Sequence, residues 1–261
     1  MTDQPPAKKS LGQHWLDDEA SLRAMCEAAD VQPGDTVLEI GPGLGSLTKL
    51  LAARAGQVVA VEFDEKLARQ LPDRVRAENL QIITQDILRF DFTTMPANYK
   101  IVANIPYYLT SHLIRVASET PNPPAIAALL VQQEVAWRVT AKPGSMSLLS
   151  VTAQFYWQAS LGREVPAALF TPPPKVNSQI LILKRHSAPL FEDVDTKAFF
   201  RLVKAGFAQR RKTLLNSLAG GLHLSRDEVL AICRTADIEP ARRAQTLSLN
   251  DWHALYQAWH T

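Results

Sequence analysis

Three glycines crowd one short stretch, Val37-Leu-Glu-Ile-Gly-Pro-Gly-Leu-Gly45, just after a β-rich run and just before a helical pattern. Without side chains, the backbone at Gly41 and Gly43 can come close to a ligand. The spacing is G-x-G-x-G, and Ser46 stands where a dinucleotide fingerprint needs its third glycine. Two acids follow at corresponding places. Glu62 ends the next β-rich run, where a carboxylate can hold two ribose hydroxyls through charge-assisted bonds. Asp86 follows the third run, placed to accept a hydrogen bond from an adenine amino group. Glycines, an acid after the second strand and an acid after the third suit S-adenosylmethionine better than a nicotinamide cofactor. Capping of the following helices is the other use these two carboxylates could have.

A second constellation is Ile101-Val-Ala-Asn-Ile-Pro-Tyr-Tyr108. An exocyclic ring amine is a poor nucleophile because its lone pair is delocalised into the ring. The side-chain oxygen of Asn104 and the carbonyl of Ile105 are two acceptors that could hold both its N–H groups. That favours a pyramidal nitrogen able to attack a sulfonium methyl. Pro106 stiffens the turn and adds no competing N–H. Tyr107 offers a face on which a splayed-out base can stack, worth about 1–3 kcal/mol. No general base is needed, since the methylated ammonium sheds its proton readily, so the work is positioning and electrostatics. A β-turn with a buried tyrosine is the plainer reading. The tetrapeptide Asn104–Tyr107 is similar to the signature of enzymes that methylate amino groups of adenine and related planar amines. Phe170, in a proline-stiffened segment, could stack on the other face of the base or serve as a core phenylalanine. His14, read from its surroundings alone, is a surface or capping residue.

The elements that must position these residues alternate along the first two thirds of the chain. Strands are predicted at 36–40, 58–61, 81–83, 100–103, 125–131 and 179–183, and helices at 45–54, 64–78, 110–118 and 132–140. A preceding helix, 18–29, has Asp17 as its expected N-cap. Apolar runs without strict alternation, separated by helices, indicate a parallel sheet buried on both faces. That is a doubly wound, Rossmann-like α/β architecture. Stacked prolines in 165–175 predict a stiff exposed loop before a last strand. Beyond Lys184 only helices are predicted, at 196–208, 212–219, 226–235 and 249–259. The expected division is a catalytic domain over 1–185 and a small all-helical C-terminal domain over 186–261.

The 261 residues are 46% hydrophobic and 21% charged, which suits a globular protein and excludes wholesale disorder. No apolar run approaches the roughly 18 residues of a membrane span, and Met1 to Ser10 has no apolar core of a secretory signal. Cys26 and Cys233 are far apart and form no ligand cluster, so neither a metal site nor a disulfide scaffold is expected. A cytoplasmic protein is the expectation, and nothing in the sequence calls for more than a monomer. Net charge is only +2, but Arg201, Lys204, Arg210, Arg211 and Lys212 fall close together. Such a run is either a solvated helix face or a phosphate-binding one.

Lys9-Ser-Leu-Gly-Gln-His-Trp-Leu16, Glu39-Ile-Gly-Pro-Gly-Leu-Gly45, Asn104-Ile-Pro-Tyr107 and Phe170-Thr-Pro-Pro-Pro-Lys-Val176 occur in one order. In this the chain resembles the ribosomal RNA adenine N6,N6-dimethyltransferases. The stretch from Phe200 to Leu214 resembles their bacterial small-subunit branch more than the erythromycin-resistance branch. The resemblance runs from about residue 8 to the C-terminus. It implies S-adenosylmethionine-dependent dimethylation of two neighbouring adenosines in a hairpin loop near the 3′ end of 16S rRNA, within an immature small ribosomal subunit. It also implies that His14 and Leu16 line the donor pocket with Gly41, Gly43, Glu62, Asp86 and Asn104, and that Arg210, Arg211 and Lys212 hold RNA phosphates. Trp15 departs from the phenylalanine usual at that place. The rival readings are an RNA-binding assembly or transcription factor with this fold but little catalysis, and a DNA adenine methyltransferase.

Overall fold

In the computed structural model, residues 12–209 and 211–260 are described. They form, in chain order, β1 (Trp15–Leu16), α1 (Glu19–Ala28), β2 (Thr36–Ile40), α2 (Ser46–Ala52), β3 (Gln57–Glu62), α3 (Glu65–Val75), β4 (Leu80–Thr84) and β5 (Lys100–Asn104). Then come α4 (Thr110–Glu119), β6 (Ile126–Gln132), α5 (Gln133–Val139), α6 (Leu148–Tyr156), β7 (Trp157–Val165), β8 (Phe170–Thr171) and β9 (Ser178–Arg185). Four helices complete the chain: α7 (Thr196–Phe207), α8 (Leu214–Leu222), α9 (Arg226–Thr235) and α10 (Leu249–His260).

Seven strands make one sheet in the order β4-β3-β2-β5-β6-β9-β7. The pairs from β4 to β6 are parallel, and β9 joins β6 antiparallel. The order reverses between β2 and β5, and in such sheets ligands bind at the carboxyl ends of the strands beside that point. Register delivers the chemistry there. Ile40 lies opposite Val61, Glu39 opposite Val102 and Glu62 opposite Thr84. Gly41, Glu62 and Asn104 therefore reach one edge of the sheet together. The runs that made these strands legible are buried without alternation, as Val58–Val61 and Ile101–Ala103 illustrate.

Four elements lack such a signal in the sequence: β7, α6 and the two-residue strands β1 and β8. β7 lies at the sheet's edge, and its Gln158, Arg163 and Glu164 are exposed, so its pattern is neither apolar nor cleanly alternating. α6 is capped by a reciprocal pair in which Ser147 and Ser150 satisfy each other's backbone N–H. Two local expectations are corrected. Asp18, not Asp17, caps α1, because its side chain accepts from the Ser21 N–H at 2.8 Å. The 165–175 segment is also not wholly an exposed loop, since Phe170 is 3% exposed and pairs with Leu16 across β8 and β1.

The chain divides into two units. One runs through Ala136 and resumes with Gln158–Arg185; the other takes Trp137–Trp157 and everything from His186 onward. The second unit thus includes 137–157, which the sequence reading had placed with the sheet. Val151 and Phe155 of α6 explain this, for they pack in one cluster with Phe199, Val203, Leu218 and Trp252. Small residues let its helices meet closely. A methyl placed on Gly206 of α7 would stand 2.3 Å from the Trp252 ring of α10, and one on Gly221 of α8 would stand 2.6 Å from the Ala205 Cβ. Gly206→Ala is therefore expected to cost about 1–3 kcal/mol through overpacking, read as a lowered unfolding midpoint by calorimetry. An unchanged midpoint would mean that the Trp252 ring moves aside freely.

Candidate active site

The glycine loop opens the site. Gly41 has φ +66°, and a methyl there would meet nothing within 4 Å, so the backbone borders open space. Gly43 has φ +58°, and a methyl there would stand 2.7 Å from the Trp15 ring. Two separate constraints, conformation and contact, therefore require glycine at that position. The Gly43 N–H donates to Glu62 Oε2 at 3.0 Å, and the Asp64 N–H donates to Glu62 Oε1 at 2.9 Å. A carboxylate has about four acceptor sites, so these bonds leave capacity for a ligand's hydroxyls. Burial pushes the Glu62 carboxyl above its ordinary range, opposed by the backbone N–H groups of Asp64, Gly43 and Phe63.

Glu39 lies deeper, 1% exposed, and its Oε2 has no partner among the described residues. Burial, with the neighbouring Glu62 charge acting in the same direction, pushes its carboxyl up to about 8. Asp86 accepts the Leu88 N–H at 3.0 Å and caps the short turn Ile87–Arg89. The capping alternative thus describes one of its oxygens. For α3 the cap is Asp64, whose side chain accepts from the Lys66 N–H.

Asn104 ends β5 with its amide oriented. Its Nδ2 donates to the His14 carbonyl at 3.4 Å, and a carbonyl can only accept, so Oδ1 faces the other way. Ile105 is 2% exposed. The Pro106 carbonyl accepts the Leu109 N–H, closing the tight turn Tyr107–Leu109. The Tyr107 hydroxyl pairs with Ser178 Oγ at 2.8 Å, and its ring stacks on His14 with centroids 6.0 Å apart. Burial raises the Tyr107 hydroxyl pKa. His14 Nδ1 lies 2.7 Å from the Pro172 carbonyl, which makes Nδ1 the protonated nitrogen. His14 thus joins the N-terminal motif to both the Asn104 turn and the proline segment, which its sequence neighbours do not reveal. Leu16 and Phe170, paired across two short strands, are buried in the same core cluster.

His14, Leu16, Glu39, Gly41, Gly43, Glu62, Asp86, Asn104–Tyr107 and Phe170 border one cavity of about 250 Å³. A single water needs roughly 10–15 Å³, so the space is suited to a ligand. Phe63 and Tyr108, 62% and 63% exposed, also line it and were missed in the sequence reading. Their one available signal was adjacency to Glu62 and Tyr107.

The basic run belongs to the helical unit. Arg211 and Lys212 are exposed, but they lie in the turn before α8 and not on a helix, because Thr213 is the N-cap of α8. Arg210 lies outside the described residues. Arg201 of α7 sits over the Trp259 ring at 5.6 Å, so it is engaged in packing. Among the described residues no His, Cys, Asp and Glu group could hold a metal ion, and no helix is long and apolar enough to cross a membrane.

A family model described as "Ribosomal RNA adenine dimethylase" matches residues 5–260. The chain is 46% identical to the "Ribosomal RNA small subunit methyltransferase A" of Dehalococcoides mccartyi (strain ATCC BAA-2266 / KCTC 15142 / 195), over 95% of this chain and 87% of that protein. It is 38% identical to the protein of the same name from Moorella thermoacetica, over 95% and 91% of the two chains. The crystal structure of the 23S rRNA methyltransferase ErmE superposes with a TM-score of 0.78 at 28% identity, covering 95% of this chain and all of that one. The dimethyladenosine transferase of Plasmodium falciparum superposes with a TM-score of 0.81 at 24% identity, over 93% and 96%, a likeness of fold.

Glu39 makes the site's stability depend on pH. Between about pH 4.5 and 8 the folded protein keeps a proton there that the unfolded chain has released, so this group's contribution to stability falls as pH rises. Glu39→Gln stays neutral and lacks that slope. Its melting midpoint, followed from pH 5 to pH 8, is expected to gain several degrees on the unchanged protein. Parallel curves would show that Glu39 is ionised in the fold.

Proposed function

Because the chain belongs to the ribosomal RNA adenine dimethylase family, we propose that it is an S-adenosylmethionine-dependent enzyme that dimethylates the N6 amines of adenosines in ribosomal RNA. Its finer target, on this reading, is a pair of adjacent adenosines in a hairpin loop near the 3′ end of 16S rRNA, met in a small subunit still being assembled. One observation carries the chemistry: the Asn104 amide is held by the His14 carbonyl so that its oxygen is left to accept.

The residues present fit the methyl donor. Glu62 keeps acceptor capacity for ribose hydroxyls, Asp86 stands at the next strand end for an amino group, and Gly41 leaves room along the loop. When bound, the sulfonium supplies an electrophilic methyl group, whose S–C bond breaks as the amine nitrogen forms the new N–C bond. Asn104 Oδ1, with the Ile105 carbonyl, holds the two N–H groups of the target and frees the lone pair of its nitrogen. Pro106 contributes no donor that would compete. The ammonium left after each transfer gives its surplus proton to water. Tyr107, anchored through its hydroxyl, and Phe170 border the place where the base is received. A loop adenosine is easier to extrude than a paired one, which suits a single-stranded target. Arg211 and Lys212, with Arg210, hold phosphates by charge.

Replacing Glu62 with alanine tests the donor site. It is expected to weaken S-adenosylmethionine binding about 100-fold by calorimetry and to abolish methylation of undermethylated small subunits, while particle binding stays. That magnitude is a floor, since two bonds to a charged group at about 1.5–3 kcal/mol each total about 3–6 kcal/mol. A variant that still methylates would remove Glu62 from the site, and an unchanged protein that binds particles but never methylates them would favour an assembly factor. Changing Arg211 and Lys212 to alanine should flatten the salt dependence of RNA binding by about one logarithmic slope unit per lost phosphate contact, with donor affinity unchanged. An unaltered slope would leave these two as solvated charges.

A further inference from the structure

We propose that Tyr108 is a stacking platform for the nucleobase next to the one being methylated, a second nucleotide subsite at the mouth of the cavity. This rests on the adenine-methylating reading above and extends it to how the neighbour in the RNA is held.

Tyr107 and Tyr108 are consecutive in a tight turn of three residues per turn, so their side chains leave the backbone about 120° apart. The two rings are treated oppositely. Tyr107 turns inward and is tied through its hydroxyl to Ser178. Tyr108 turns outward, is 63% exposed, and makes no hydrogen bond to a described residue. Exposing that much of a large aromatic ring contributes nothing to folding. The ring is nevertheless positioned. A methyl on Gly12 would lie 3.6 Å from two of its carbons and 3.6 Å from the Pro106 Cβ, ordinary contact distances. One side of the ring thus lies beside Gly12 with room for no more than a methyl group between them, while the remainder faces solvent at the rim of the cavity that also contains Asn104.

An aromatic ring beside a base-sized opening matches the stacking surfaces that bind single-stranded nucleic acid, where any base can lie on the ring because every base has a π-face. Its direct attachment to Tyr107 sets the distance. A base received beside Tyr107 and its neighbour on the strand are one nucleotide apart, and the two tyrosines are one residue apart. If two adjacent adenosines are modified in turn, each needs a resting place while the other occupies the Asn104 turn. Tyr108 supplies it.

The test uses the full chain, S-adenosylmethionine and small ribosomal subunits lacking the modification, comparing Tyr108→Ala, Tyr108→Phe and Tyr108→Trp. Stacking worth about 1–3 kcal/mol corresponds to roughly 5- to 150-fold. The alanine variant should therefore lose about tenfold or more in kcat/KM for the particle, mostly in KM, with a changed proportion of dimethylation at the two adenosines by mass spectrometry. The phenylalanine and tryptophan variants should stay within about threefold of the unchanged protein, and donor affinity by calorimetry should be the same in all four. An alanine variant with unchanged kcat/KM would overturn the proposal. So would a phenylalanine variant as impaired as alanine, which would assign the role to the hydroxyl, or a fall in donor affinity, which would place Tyr108 in the donor site. Failure of the unchanged protein to methylate any RNA would remove the adenine-methylating reading itself, and this subsite with it.

Discussion

The hydrogen bond from the Gly43 N–H to the Glu62 carboxylate joins the loop after β2 to the end of β3, and the cavity takes its shape from that link. Both partners are constrained for reasons beyond the bond. Gly43 must lack a side chain because the Trp15 ring occupies the space, and it holds a left-handed backbone. Glu62 is 6% exposed, so its charge is tolerated only while N–H groups point at it. A bulkier residue at 43 would disturb the loop, the carboxylate and the tryptophan together. Three segments distant in sequence are thereby committed to one geometry.

A second set of contacts closes the opposite wall. Trp15 and Leu16 pair with Thr171 and Phe170, His14 Nδ1 donates to the Pro172 carbonyl, and the Asn104 amide donates to the His14 carbonyl. Each is modest alone, at about 0.5–1.5 kcal/mol net. Their value lies in direction. Asn104 offers an oxygen and not an N–H group to whatever enters, because the other end of its amide is already engaged. An amide free to rotate by half a turn would present a donor as often as an acceptor and could not hold an amine's hydrogens.

The site is also electrically unusual. Glu39 and Glu62 are two carboxyl groups withdrawn from water at neighbouring strand ends, and Asp86 is at the next. Burial raises the first two, and among the described residues no Lys or Arg lines the cavity. That grouping of carboxyl groups is a property of the unit that holds the cavity, independent of the basic residues on the helical unit.

Sequence alone determined the succession of strands and helices that build the parallel part of the sheet and the residue types at its functional edge, because continuous apolar runs make parallel strands and because glycines, acids and the Asn104 turn sit directly after them. It also determined the family, through four motifs in one order. Elements lacking that kind of signal were not legible: β7, polar and at the edge, and the membership of α6, whose apolar face is shared with helices some 50 to 100 positions later. Tertiary structure alone decided that His14 is an orienting residue, that Phe170 is buried, that Tyr107 turns inward while Tyr108 turns outward, and that Arg211 and Lys212 lie in a turn. The physical reason is distance along the chain. The bonds His14 makes span 90 and 158 positions, and no local pattern of residue types encodes which groups such separations bring within hydrogen-bond reach.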